Sequence, residues 1–169
     1  MRAALASLII TATLLLAACG FQLRGAYTLP YESLHIALPD ASVIGAGLNR
    51  QIRAGGGTRV VEMKEEAQAI FLQVTELRER QILSLSAAGR VREVRLRFRF
   101  AFRVVDPKGR DLVSTTGIEI TRDLTYDDSA TLAKEQEEQV LWRDMENDLV
   151  QQVLRRLSTV KPLKPQDEL

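Results

Sequence analysis

The chain has 169 residues with a formal net charge of +1; 46% of its residues are apolar and 27% are charged. That balance predicts one folded domain and argues against both wholesale disorder and bulk electrostatic binding to nucleic acid. One cysteine excludes an internal disulfide framework and a multi-thiolate metal site, and one histidine argues against a His-rich metal or catalytic centre. No cofactor and no metal are implied.

Met1 and Arg2 give a short cationic start, and Ala3 to Leu16 is an apolar run broken only by Ser7, Thr11 and Thr13. A membrane-spanning helix needs about 20 apolar residues, so the run fits the hydrophobic region of a secretory signal. It ends in Leu16-Ala17-Ala18-Cys19, which resembles the bacterial lipoprotein box. That resemblance implies cleavage before Cys19 and acylation of Cys19, the lipid attachment site. One acyl chain binds a membrane only weakly, with K about 10⁴ M⁻¹, whereas several anchor it stably. Gly20 at the second mature position, where Asp would signal retention at the inner membrane, implies the outer membrane. Loss of Arg2 with the signal leaves basic and acidic side chains in even balance. The domain division is therefore 1–18 signal peptide, 19–160 one domain, and 161–169 a C-terminal tail in which Pro162 and Pro165 prevent helix continuation.

Phe21 to Pro30 is a lead-in broken by Gly25 and Pro30. Ser33 to Leu38 alternates, with Leu34, Ile36 and Leu38 on one side, and predicts a strand; His35 falls on its other side as a sheet-surface histidine. Asp40 or Ser42 suits a helix cap, and Ile44, Leu48 and Ile52 line one face of the helix that follows. Gly55-Gly56-Gly57 ends it, the first glycine suiting the left-handed position. Without a following Lys-Ser/Thr pair the triple glycine is not a phosphate loop.

Arg59 to Glu62 is a short extended piece and Ala69 to Arg80 a longer strand. In the latter Ile70, Leu72 and Val74 share a parity that Leu77 breaks, which predicts a bulge or an edge. Ser84 to Gly89 reads as a loop. Val91 to Val105 is the clearest signal in the chain. Val94, Leu96, Phe98, Phe100, Phe102 and Val104 alternate with Arg95, Arg97, Arg99 and Arg103, so one face is core and the other is arginine. Asp106-Pro107-Lys108-Gly109 is a turn, and Leu112 to Leu124 returns beside it.

Asp127, Asp128 and Ser129 offer capping oxygens for a last helix over 129–157, whose stripe is Leu141, Met145, Leu149, Val153 and Leu157. Its acids cluster early and its bases late, as the helix dipole favours. Glu137 and Glu138 do not form a catalytic carboxylate pair, because adjacent helical residues diverge by about 100°. Strand, helix, three strands and helix predict an α/β (α+β) two-layer sandwich, with two helices packed on one face of a four-stranded mixed sheet. The strand–helix–strand unit predicts a crossover connection.

Cys19-Gly20-Phe21-Gln22-Leu23-Arg24-Gly25 resembles the mature start of the LPS-assembly lipoprotein LptE family, a Cys-Gly-aromatic-x-Leu-Arg pattern. Arg122-Asp123-Leu124-Thr125-Tyr126, Leu132-Ala133-Lys134-Glu135, Glu138, Met145 and Arg156-Leu157 extend the likeness across the mature chain. The resemblance implies a non-enzymatic lipoprotein of the outer membrane, with its anchor facing the periplasm. It also implies a 1:1 plug in the LptD β-barrel that binds lipopolysaccharide, with Lys134 as a phosphate contact. The sequence departs from the family around the hairpin before Val91. A basic residue sits there in the family; here Ser84 to Gly89 is uncharged, and Arg90 and Arg92 follow as candidate lipopolysaccharide contacts.

Four like charges on one strand face repel, so Arg95, Arg97, Arg99 and Arg103 need acidic neighbours such as Glu76, Glu79 and Glu119, or an outside surface. A barrel lumen is polar, which makes this face the candidate partner-facing surface; anionic lipid is the other candidate, because guanidinium binds phosphate bidentately. For Lys134, the plain alternative is an i,i+4 pair with Glu138. Two other functions stand beside the plug. One is a free-standing outer-membrane lipoprotein that binds an anionic or apolar ligand without a barrel. The other is a periplasmic hydrolase, which the lone histidine disfavours.

Overall fold

A computed structural model describes residues 27–126 and 130–159. Cys19, the signal, the capping triplet Asp127 to Ser129 and the tail lie outside the described residues. Five strands and two long helices follow in order: β1 (Ser33–Ala37), α1 (Val43–Gly55), β2 (Arg59–Val61), β3 (Ala69–Leu85), β4 (Val91–Val105), β5 (Asp111–Thr125) and α2 (Thr131–Thr159), with a 3-10 turn at Lys64–Glu66. The sheet order is β2-β1-β3-β4-β5. β1 is parallel to both β2 and β3, and β3, β4 and β5 form an antiparallel meander.

The class matches the expectation; the strand count does not. The piece at 59–61 is a fifth strand, paired through Ser33–Arg59, Leu34–Val60 and His35–Val61. Three residues carry too little periodicity to announce a strand, and only the neighbouring β1 makes them one. α1 starts at Ser42, whose Oγ accepts from the Gly45 N–H at 3.1 Å, and closes on Gly56 rather than Gly55, at φ 69°.

The core forms between the sheet and the two helices. The six alternating apolar residues of β4 are at most 1% exposed, and Met145, Leu149, Val153 and Leu157 of α2 meet them with equally little exposure. Phe71 of β3 stacks beside Phe100 and Phe102, with ring centroids 6.5 and 5.1 Å away. Gly47 lets α1 approach α2: a Cβ there would stand 2.9 Å from Val150 Cγ2.

β3 runs to Leu85, five residues past the expected Arg80. Its register shifts between Gln73 and Thr75 and again between Ile82 and Ser84. The first shift inverts parity. Phe71 faces the helices before it, and Glu76, Arg78 and Arg80 do so after it, opposite Phe100, Phe98 and Leu96. Leu77 consequently returns to the face that Ile70 and Leu72 share. On that open face Ile70, Leu72 and Val105 join Val61 and Ala67 in a small second apolar cluster.

Both hairpin turns are built alike. Ser86 N–H donates to Arg90 O at 2.7 Å and Gly89 N–H to Ser86 O at 2.9 Å; Asp106, Gly109 and Arg110 repeat both bonds at 2.9 Å. In each, a side-chain oxygen, Ser86 Oγ or Asp106 Oδ1, accepts from the N–H of the closing arginine. The glycines take φ 75° and 83°, a region that costs other residues steric strain. The expected loop at 84–89 is thus a tight turn, with Ser84 and Leu85 inside the strand.

Candidate functional site

The arginine face is real and is neutralised from within. Arg95 meets the Asp123 carboxylate with both prongs, Nε to Oδ1 at 2.7 Å and Nη2 to Oδ2 at 2.8 Å. This bond holds the Arg95 pKa up and the Asp123 carboxyl below its ordinary range. Arg97 stands opposite Glu79 and Arg99 opposite Glu119, yet the pairs form diagonally. Arg97 Nε lies 3.5 Å from Glu119 Oε1, and Arg99 Nη2 lies 3.0 Å from Glu79 Oε2. The first is an electrostatic contact, since Arg97 Nε makes no hydrogen bond. Arg103 stands 3.6 Å from Asp111. Exposed pairs of this kind contribute about 0–1 kcal/mol each. Their larger effect is to cancel the repulsion along β4 and leave a polar, charge-balanced surface.

Glu76 is not among those partners. The bulge turns it to the helix face, where it accepts from Arg78 Nη2 at 3.0 Å while Arg78 Nη1 donates to Glu146 of α2 at 2.6 Å. The Arg78 guanidinium lies 4.8 Å from the Phe98 ring centroid and 6.0 Å from that of Trp142. Burial works to lower its pKa, but the bonds to Glu76 and Glu146 outweigh that and raise it. Arg80 likewise reaches Glu138 at 3.3 Å and stacks over Tyr126 at 5.5 Å. This ionic seam between sheet and helix was not legible in the sequence, because one bulge decides which face its residues occupy.

The same contact corrects the expected partner of Lys134. Glu138 is taken by Arg80, and Lys134 Nζ donates to Glu137 Oε2 at 2.8 Å, an i,i+3 pair. Arg90 and Arg92 lie at the β3–β4 hairpin, and Lys134 lies near the start of α2. A series of contacts runs between the two elements: Tyr126 N–H donates to Arg92 O at 2.7 Å, the Arg80 guanidinium stacks over the Tyr126 ring, and Arg80 pairs with Glu138 of α2. Arg92 is exposed, and its side chain has no ion-pair partner among the described residues. It borders a depression of about 350 Å³ lined by Ser84, Leu85, Glu93, Thr125 and Tyr126. Leu85 is an exposed large apolar residue on this rim. His35 is half-buried, its Nδ1 3.2 Å from Val61 O, and belongs to the sheet surface.

Among solved structures, the chain is similar to an uncharacterized lipoprotein B from Nitrosomonas europaea. The two share 43% identity over 82% of this chain and 90% of that one, with a TM-score of 0.70. It shares the fold of a minor lipoprotein from Acinetobacter baumannii, at 24% identity, 81% and 99% coverage and a TM-score of 0.66. The rare lipoprotein B from Shewanella oneidensis has that fold too, at 24% identity, 75% and 94% coverage and a TM-score of 0.64. No curated protein matches the chain. The family model described as "LptE: Lipopolysaccharide-assembly" matches residues 31–157, from the lead-in to β1 to the last turns of α2. With most of its length covered by that match and its fold shared with these lipoproteins, the chain belongs to the LptE lipopolysaccharide-assembly family.

Proposed function

We propose that the chain is an outer-membrane lipoprotein, acylated at Cys19, that plugs an LptD-type β-barrel and contacts lipopolysaccharide during its insertion into the outer leaflet. It does so by binding rather than by catalysis. The observation that carries this reading is the family match over residues 31–157. The open sheet face supports the plug: Arg95, Arg97, Arg99 and Arg103 with their acids make a polar, near-neutral surface suited to a polar lumen. Lys134, Arg90 and Arg92 support the lipid contact, since cations beside an apolar rim match a phosphorylated amphiphile.

Charge-assisted contacts to phosphate are worth roughly 1.5–3 kcal/mol each. Lys134→Asp combined with Arg92→Asp should therefore weaken lipopolysaccharide binding at least tenfold at low salt, and the loss should shrink as salt is raised. Thermal stability and co-purification with the barrel should hardly change, because neither side chain is in the core. Parent-like binding by the double variant would move the lipid site elsewhere. Failure to recover a stoichiometric barrel partner from detergent extracts would instead favour the free-standing lipoprotein.

A further inference from the structure

β1 pairs with β3 only over Ala69 to Leu72. From Val74 onward the outer edge of β3 has no strand beside it among the described residues, so its outward N–H and C=O groups have no strand partner there. The exposed large apolar side chains concentrate here: Val74, Leu77, Ile82, Leu83 and Leu85 are all exposed, whereas the opposite sheet edge, β5, carries none. Open edges are usually guarded by charge. On β3 the guards are occupied internally: Glu76 and Arg78 by each other and Glu146, Arg80 by Glu138, and Glu79 by Arg99. Register shifts after Gln73 and after Ile82 frame a regular run from Thr75 to Ile82. Long and regular, with its charges satisfied and Leu77 and Ile82 exposed among them, this edge is a template for strand addition.

We propose that the occupant is a second copy of this chain, paired antiparallel through β3 across a two-fold axis normal to the sheet. That symmetry keeps open face beside open face and leaves few registers. Centring the axis on Glu76, Arg78, Glu79 or Arg80 sets a charged residue against itself. Centring it on Leu77 joins the two leucines and places Glu76 of each copy opposite Arg78 of the other, the one charge-complementary arrangement in the run. The sheet then continues unbroken through both copies, with the two arginine faces on the same side. A closed barrel wall cannot supply this contact, because its own backbone groups are already paired. The dimer is accordingly a state of the chain outside a barrel, and its test needs no barrel.

The test uses the full chain extracted in mild detergent. Residues directly opposite in an antiparallel pair have Cβ atoms about 4.5–5.5 Å apart, close to disulfide reach. Under mild oxidation Leu77→Cys should form a covalent dimer, while the parent chain and Thr121→Cys, on the same face but on β5, should not. Light scattering should show mass rising with concentration for the parent. Leu77→Asp, at an exposed position that leaves the core intact, should weaken self-association at least tenfold with unchanged circular dichroism. A chain that stays monomeric at every concentration overturns the proposal. So does cross-linking at Leu77 no stronger than at Thr121, or association that survives Leu77→Asp undiminished.

Discussion

Phe100 and Arg97 stand three residues apart on β4 and face opposite environments. The Phe100 ring is 1% exposed and packs beside both Phe71 and Phe102, so Phe100→Ala should cost about 3–5 kcal/mol through lost transfer energy and the cavity left behind. Among the described residues the one ion pair of Arg97 is with Glu119, on the open sheet face, and Arg97→Ala should cost well under about 1 kcal/mol. Denaturant midpoints for the two variants check the order, and a reversal would mean that the faces of β4 are exchanged. Asp106 links stability to pH. Burial acts to raise its pKa, but the Arg110 N–H and guanidinium and the Lys108 N–H all donate to its carboxylate and hold it below the ordinary 3.8. The folded pKa is the lower one, so the stability this group contributes is complete above 3.8 and is lost as pH falls through the folded value. Melting temperatures of the parent and Asp106→Asn should differ near neutrality and converge in acid; a gap independent of pH would detach the turn from this carboxylate.

At the scale of elements, the two helices meet over Gly47. Alanine is the better helix former by about 1 kcal/mol, yet its Cβ would press on Val150 at 2.9 Å. Gly47→Ala should therefore destabilise the protein by about 1–3 kcal/mol, as overpacking does, and Val150→Ala in the same chain should recover part of the loss. Gly117 offers the control. A Cβ there meets nothing within 4 Å, so Gly117→Ala should stabilise β5 by roughly 0.5–1 kcal/mol. Thermal melts of the set separate packing from propensity: equal gains at both glycines would mean that the helix crossing is looser than it stands.

At the scale of the whole molecule, α2 divides in two. Its buried residues all lie between Met145 and Leu157, and the Arg78–Glu146 pair sits within that stretch, while the part before it reaches the sheet through the Arg80–Glu138 pair. The helix is thus anchored by apolar burial in its C-terminal half and held by charge in the half that carries Lys134. Membrane attachment is a separate matter, carried by Cys19 in the proposed reading. Cys19→Ala should abolish palmitate labelling and release the chain to the soluble periplasmic fraction unless a barrel retains it. Unchanged labelling would remove the lipoprotein assignment.

The sequence by itself determined whatever depends on local period. The eleven residues from Val94 to Val104 that alternate through β4 admit one arrangement of faces, and the i+4 stripe of α2 admits one buried side. The two-layer class follows from two one-sided helices and a one-sided sheet. The candidate residues were legible for the same reason: the arginines lie on the strand whose period is clearest, and Lys134 in a recognisable family stretch. Tertiary structure alone decided what depends on a neighbour. β2 becomes a strand because β1 lies beside it. Glu76 leaves the arginine face because a shift opposite β4 inverts parity, and Glu138 turns from Lys134 because Arg80 comes across from the sheet to claim it. Period is a property of the chain, whereas register and pairing arise only when two segments meet.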